Sequence, residues 1–118
     1  MDSVKVLVIW VDGSTSYEEL KGENLFSQIE DLIGGPAESF YYTEGTICYG
    51  ENATEENEDV NELATEIINE LSNGIRKRGY LYGPVVVTGV EDEDGNVTSV
   101  MKEFADDIIC QSNTRIGG

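Results

Sequence analysis

Residues 4–11 form an apolar run rich in β-branched side chains, broken by Lys5 alone and ended by the turn dipeptide Asp12-Gly13. Such a run predicts a strand, and Asp-Gly predicts a hairpin in which residues 14–20 return as a short polar edge strand. The period then changes. Leu25, Phe26, Ile29, Leu32 and Ile33 recur three and four apart within residues 23–33, the mark of a helix with one apolar face. Gly34-Gly35-Pro36 ends it, because glycine accepts the left-handed cap position and proline cannot continue a helix. Residues 37–42 and 46–49 read as two strands around Glu44-Gly45, and residues 50–59 as an acidic loop. Val60, Leu63, Ala64, Ile67, Ile68 and Leu71 then keep a helical period up to Asn73-Gly74. Residues 85–90 are a nearly continuous apolar strand between Gly83-Pro84 and the turn Asp94-Gly95. A last helix is expected over residues 99–110, with Val100, Met101, Phe104, Ile108 and Ile109 inward.

The order β-β-α-β-β-α-β-α predicts an α+β fold. The expected form is a two-layer sandwich: a mixed or antiparallel sheet of about four or five strands with about three helices packed on one face. At 118 residues the chain suits one domain. That domain is expected over residues 1–110, with residues 111–118 as a flexible C-terminal tail.

Charge narrows the function. There are 24 acidic residues against 7 basic, no histidine, and a formal net charge of −17. Histidine-based triads, imidazole metal ligands and a histidine general base are excluded. So acidic a chain is not expected to bind nucleic acid or an anionic membrane directly. Cys48 and Cys110 each stand in an apolar stretch and read as buried free thiols of a reducing compartment. The run at residues 4–11 is too short to cross a bilayer and no leader pattern precedes it. A cytoplasmic location is expected, the host cytoplasm if the protein is viral.

Several segments together resemble a family of small proteins of phages, plasmids and some bacterial and archaeal genomes, catalogued only as a domain of unknown function. They are the opening strand, the Gly34-Gly35 helix cap, Ala37-Glu38-Ser39-Phe40-Tyr41-Tyr42, Asn61-Glu62-Leu63-Ala64-Thr65 and Gly83-Pro84-Val85-Val86-Val87-Thr88-Gly89. The resemblance covers most of residues 4–90 and leaves the helix after Ser99 outside. The acidic stretch 51–59 departs from it, since the family usually has a brief hairpin there. It implies a mobile-element origin and supplies no catalytic residue.

Glu58, Glu62, Glu66 and Glu70 are spaced four apart on the second predicted helix, with Glu55, Glu56 and Asp59 at its start. Four residues advance a helix by about 6 Å, close to the roughly 7 Å between alternate phosphates of one DNA strand. A merely solvated face would be expected to alternate signs and gain i,i+4 pairs, whereas no lysine interrupts this stripe. These seven carboxylates are therefore the candidate partner-binding residues, imitating a nucleic-acid backbone before a basic groove. Adaptation to a high-salt cytoplasm is the competing account of the charge.

The remaining motifs carry less. Aligning Gly95 with the glycine of an EF-hand loop leaves Val90 and Met101 at two ligand positions, so residues 91–96 read as a polar turn rather than a calcium site. Arg76, Lys77 and Arg78 follow the second helix, where they complement its dipole or contact an anion, such as a nucleotide signal. Gly117-Gly118 resembles the end of ubiquitin-like modifiers and sulfur carriers, a conjugation tail by that reading. No two carboxylates stand out as an acid-base pair. The expectation is a non-enzyme without cofactor or metal, encoded by a virus or mobile element. It would inhibit a basic host protein, a nucleic-acid-binding defence component, with monomer or homodimer left open.

Overall fold

The computed structural model describes residues 3–72 and 79–117. Strand β1 (Ser3–Ile9) pairs antiparallel with β2 (Thr15–Lys21), Leu7 opposite Tyr17 and Val4 opposite Leu20. The expected Asp-Gly turn joins them: Gly13 takes φ +89° and its N–H donates to the Trp10 carbonyl at 3.0 Å. Helix α1 (Leu25–Ile33) closes on Gly34 at φ +97°, where the Gly34 and Gly35 N–H groups both donate to the Glu30 carbonyl. The chain continues through β3 (Ala37–Tyr42), β4 (Gly45–Gly50), α2 (Glu62–Leu71), β5 (Val85–Thr88) and α3 (Lys102–Gly117).

The five strands form one antiparallel sheet in the order β2-β1-β5-β4-β3. This is the expected α+β class with the expected succession of elements. The helices, however, do not share one face. Leu7, Ile9, Ile47, Val85 and Val87 pack with Leu63, Ile67, Phe104 and Ile108 of α2 and α3. Val6, Val8, Cys48 and Val86 point the other way, onto Ile29 and Ile33 of α1. The reason lies in the central strands. Val6–Ile9 and Val85–Val87 are apolar at consecutive positions and fully buried, so both faces of the sheet need cover.

The boundaries of β5 and α3 move, through contacts between parts of the chain distant in sequence. Strand β5 stops at Thr88 because the returning segment 98–100 lies against Gly89, where a Cβ would run into the Ser99 carbonyl and the Thr98 hydroxyl. That segment donates from Val100 N–H to the Lys5 carbonyl at 2.9 Å, alongside β1. Helix α3 begins only at Lys102 and continues to Gly117, through residues expected to be unstructured. Ser112 is buried there and its hydroxyl donates to the Gly13 carbonyl, fastening α3 to the β1–β2 turn. Met101, expected inward, is 47% exposed.

Helix α2 starts at Glu62 rather than Val60 because Asn61 caps it. Asn61 is fully buried. Its Oδ1 accepts from Ala64 N–H at 3.2 Å, and its Nδ2 donates to the carbonyls of Ile9 and Gly83, each at 2.9 Å. One turn on, the Thr65 hydroxyl donates to the Asn61 carbonyl and accepts from Leu81 N–H, both at 2.8 Å. Asn61 N–H donates to the Leu81 carbonyl and Gly83 N–H to the Asp59 carbonyl, both at 2.8 Å. The Asn-Glu-Leu-Ala-Thr segment thereby joins the end of β1, the start of α2 and the segment leading into β5. Among the described residues, no buried side-chain nitrogen or oxygen lacks a partner.

An interior carbonyl left without a donor costs about 1–3 kcal/mol, and a lost N-cap about 1 kcal/mol. Asn61→Ala is therefore expected to lose about 3 kcal/mol or more by urea denaturation, a large part of a small domain's margin. Asn113→Ala, exposed on α3, should stay within about 0.5 kcal/mol. Equal losses in the two variants would contradict this role for Asn61.

Candidate functional site

Burial of Leu63, Ala64, Ile67 and Ile68 fixes the rotation of α2 and leaves Glu62, Glu66 and Glu70 exposed on its outer side. Each follows the last by one helical step of about 6 Å. Glu58 does not extend the row. It precedes the Asn61 cap, in a loop shaped by Asn57 Oδ1 accepting from Thr54 N–H at 2.8 Å. It lines a hollow of about 270 Å³ with Gly34, Gly35 and Gly50 at the C-terminal end of α1. A Cβ on Gly83 would meet its side chain at 3.4 Å. Glu55, Glu56 and Asp59 are exposed on the same loop. The predicted stripe is thus a helical row of three preceded by a group of four on a loop.

The structure adds carboxylates that the sequence reading passed over. Phe104, Ala105 and Ile108 turn inward from α3, so Glu103, Asp106 and Asp107 emerge on its exposed side. Asp107 and Glu66 border one groove of about 510 Å³ between α3 and α2, with Cys110, Gln111 and Thr114. Lys102 lies 2.7 Å from Asp106, and this hydrogen bond raises the lysine's pKa. The signal was present in the sequence: with Phe104 and Ile108 read as inward, residues 103, 106 and 107 fall on the outer face.

At residues 92–96 the Asp92 carboxylate accepts from the N–H groups of Asp94 and Asn96, each at 2.9 Å, and from Asn96 Nδ2. These bonds, those from Asn96 first, lower its pKa. With Gly95 at φ +78°, the segment is the expected turn. Asp12 is lowered in the same way by the Ser14 hydroxyl and N–H. Tyr41 is held protonated beyond its usual range by a hydrogen bond to Glu91. Arg76, Lys77, Arg78 and Gly118 lie outside the described residues, and Gly117 is the last residue of α3. Among the described residues, no group of three or more histidine, cysteine, aspartate or glutamate side chains is placed to hold a metal ion. No described helix is long and apolar enough to cross a membrane.

The two thiols differ. Cys48 is buried on the α1 side of the sheet, and burial pushes its pKa from 9.0 up to about 11. Cys110 is exposed, against the expectation for both, because it falls between the inward positions Ile108 and Ser112.

The family described as a domain of unknown function, DUF3846, matches residues 4–112, and the chain belongs to it. The match takes in most of α3, which the resemblance read from the sequence had left outside. No curated protein and no solved structure matches the chain.

A neutral disulfide reagent is expected to label Cys110 at once in the native protein, and Cys48 only after denaturation. Because the folded pKa of Cys48 lies above the unfolded one, its contribution to stability is complete below about pH 9. It falls as the pH climbs toward 11, where the unfolded thiol ionises and the folded one does not. Rapid native labelling of both thiols would contradict the burial of Cys48.

Proposed function

We propose that the protein acts by binding rather than catalysis, presenting the carboxylates of α2 and α3 to a basic, nucleic-acid-binding surface of a host protein and occluding it. One observation carries this reading: Glu66 and Asp107, on different helices, converge on one exposed groove. Packed helices lie about 8–10 Å apart, the same scale as the roughly 6–12 Å widths of the DNA grooves. Two neighbouring rows of carboxylates can therefore meet lysines and arginines arranged to hold phosphates.

Single exposed ion pairs contribute only about 0.2–1 kcal/mol, so affinity has to come from many pairs acting together. The net charge of −17 adds long-range attraction to a basic partner. An origin on a mobile element, action in the host cytoplasm and a defence component as the target complete the proposal.

The test is a pull-down of the tagged protein from host lysate, with the triple variant Glu62→Lys, Glu66→Lys, Glu70→Lys beside the parent. Expected is capture of a nucleic-acid-binding protein that high salt releases, that duplex DNA displaces and that the variant loses by roughly tenfold or more. A control with Glu18 and Glu19 of β2 replaced by lysine should retain capture. Capture indifferent to the triple variant, or to DNA, would overturn the reading.

A further inference from the structure

The two edges of the sheet differ. In the β1–β2 hairpin Trp10 N–H bonds to the Ser14 carbonyl, and the antiparallel alternation from there turns the backbone groups of Thr15, Tyr17, Glu19 and Lys21 away from β1. Charge guards that edge: Glu18, Glu19 and Lys21 lie in β2, and Lys21 pairs with Glu19 at 3.2 Å. At the other edge, the bond from Glu51 N–H to the Pro36 carbonyl sets the same alternation. Ala37, Ser39 and Tyr41 therefore turn their N–H and C=O groups away from β4. The Ala37 N–H accordingly donates to the Glu30 carboxylate, at 2.9 Å, and not to β4. Among the described residues no strand lies beyond β3, so Ser39 and Tyr41 present two donors and two acceptors in a row at the edge. Strand β3 carries one charged residue, Glu38, which accepts from the Tyr49 hydroxyl, and Tyr41 is 64% exposed.

We propose that the β3 edge takes up an extended basic segment of another protein as a sixth strand of the sheet. Strand addition draws its affinity from main-chain hydrogen bonds, while side chains select the partner. Charge makes that selection here. Carboxylates stand along the edge: Glu30 at its start, Glu91 beside the Tyr41 hydroxyl, and exposed Glu44 in the turn to β4. Lysine and arginine in the added strand meet these groups, and the exposed Tyr41 ring offers a face to a cation. A second copy of the chain fits less well, since each copy brings a net charge of −17 to the pairing. The edge is separate from the carboxylates of α2 and α3, and either proposal can fail without the other.

The experiment is residue-resolved amide hydrogen exchange of the full chain at constant ionic strength, with and without peptide. The probe is a blocked hexapeptide that alternates lysine or arginine with valine. One control peptide has glutamate in place of the basic residues; the other keeps the charge and carries methyl groups on its backbone nitrogens. At saturation the basic peptide is expected to slow exchange at Ser39 and Tyr41 by roughly tenfold or more, and neither control should. Phe40 and Tyr42, already bonded to β4, should change less. Ser39→Pro removes an outward donor at an edge position where proline is tolerated, and should weaken binding roughly tenfold. The methylated peptide tests the same bonds with the chain unaltered. The triple lysine variant of α2 should retain the protection. Absent protection, or equal binding of the methylated or the acidic peptide, would overturn the proposal, since attraction by net charge alone does not need the peptide's N–H groups. Protection of Ser39 and Tyr41 that grows with protein concentration without peptide would assign the edge to a second copy and overturn it as well.

Discussion

Asn61 joins three parts of the chain at one point. Its side chain ties the end of β1 to the approach to β5 and caps α2, while its backbone and Thr65 hold Leu81. A buried amide is tolerated only when its donors and acceptor are all used, and here each is. The cap fixes where the first turn of α2 begins, and burial of Leu63, Ala64, Ile67 and Ile68 then turns Glu62, Glu66 and Glu70 outward. The same anchoring places Tyr80 and Tyr82 against the β3–β4 hairpin. The proposed binding surface on α2 rests on this satisfied polar cluster.

Most of the architecture was legible as periodicity. Val85–Val87 and the run at residues 4–11 announced strands, and the spacing of Leu63, Ala64, Ile67 and Ile68 announced α2. What escaped depended on contacts distant in sequence. Val60 fits the helical period, yet it bridges to Tyr82 in an extended segment, and the helix begins after the cap. Residues 111–117 lack an apolar stripe, and their helix is held through Ser112 to a carbonyl near the other end of the chain. The second helical layer could have been inferred, because consecutive apolar positions in Val6–Ile9 demand cover on both faces.

The acidic stripe was visible as spacing but not as a surface. Glu58 belonged to it by number and left it by geometry, while Asp107 joined it from another helix. A four-residue repeat specifies a face only within one helix; which second element borders that face is set by the packing of the core. Membership in the family matched over residues 4–112 brings no activity with it, so function has to be argued from the carboxylates and the groove themselves.

The most direct test of the central claim is hydrogen exchange on the protein bound to its captured partner, compared with the free protein. The account predicts new protection concentrated in α2 and in α3, on either side of the Glu66–Asp107 groove, with β2 unchanged. Protection confined to β2 or to α1, on the opposite side of the sheet, would contradict it.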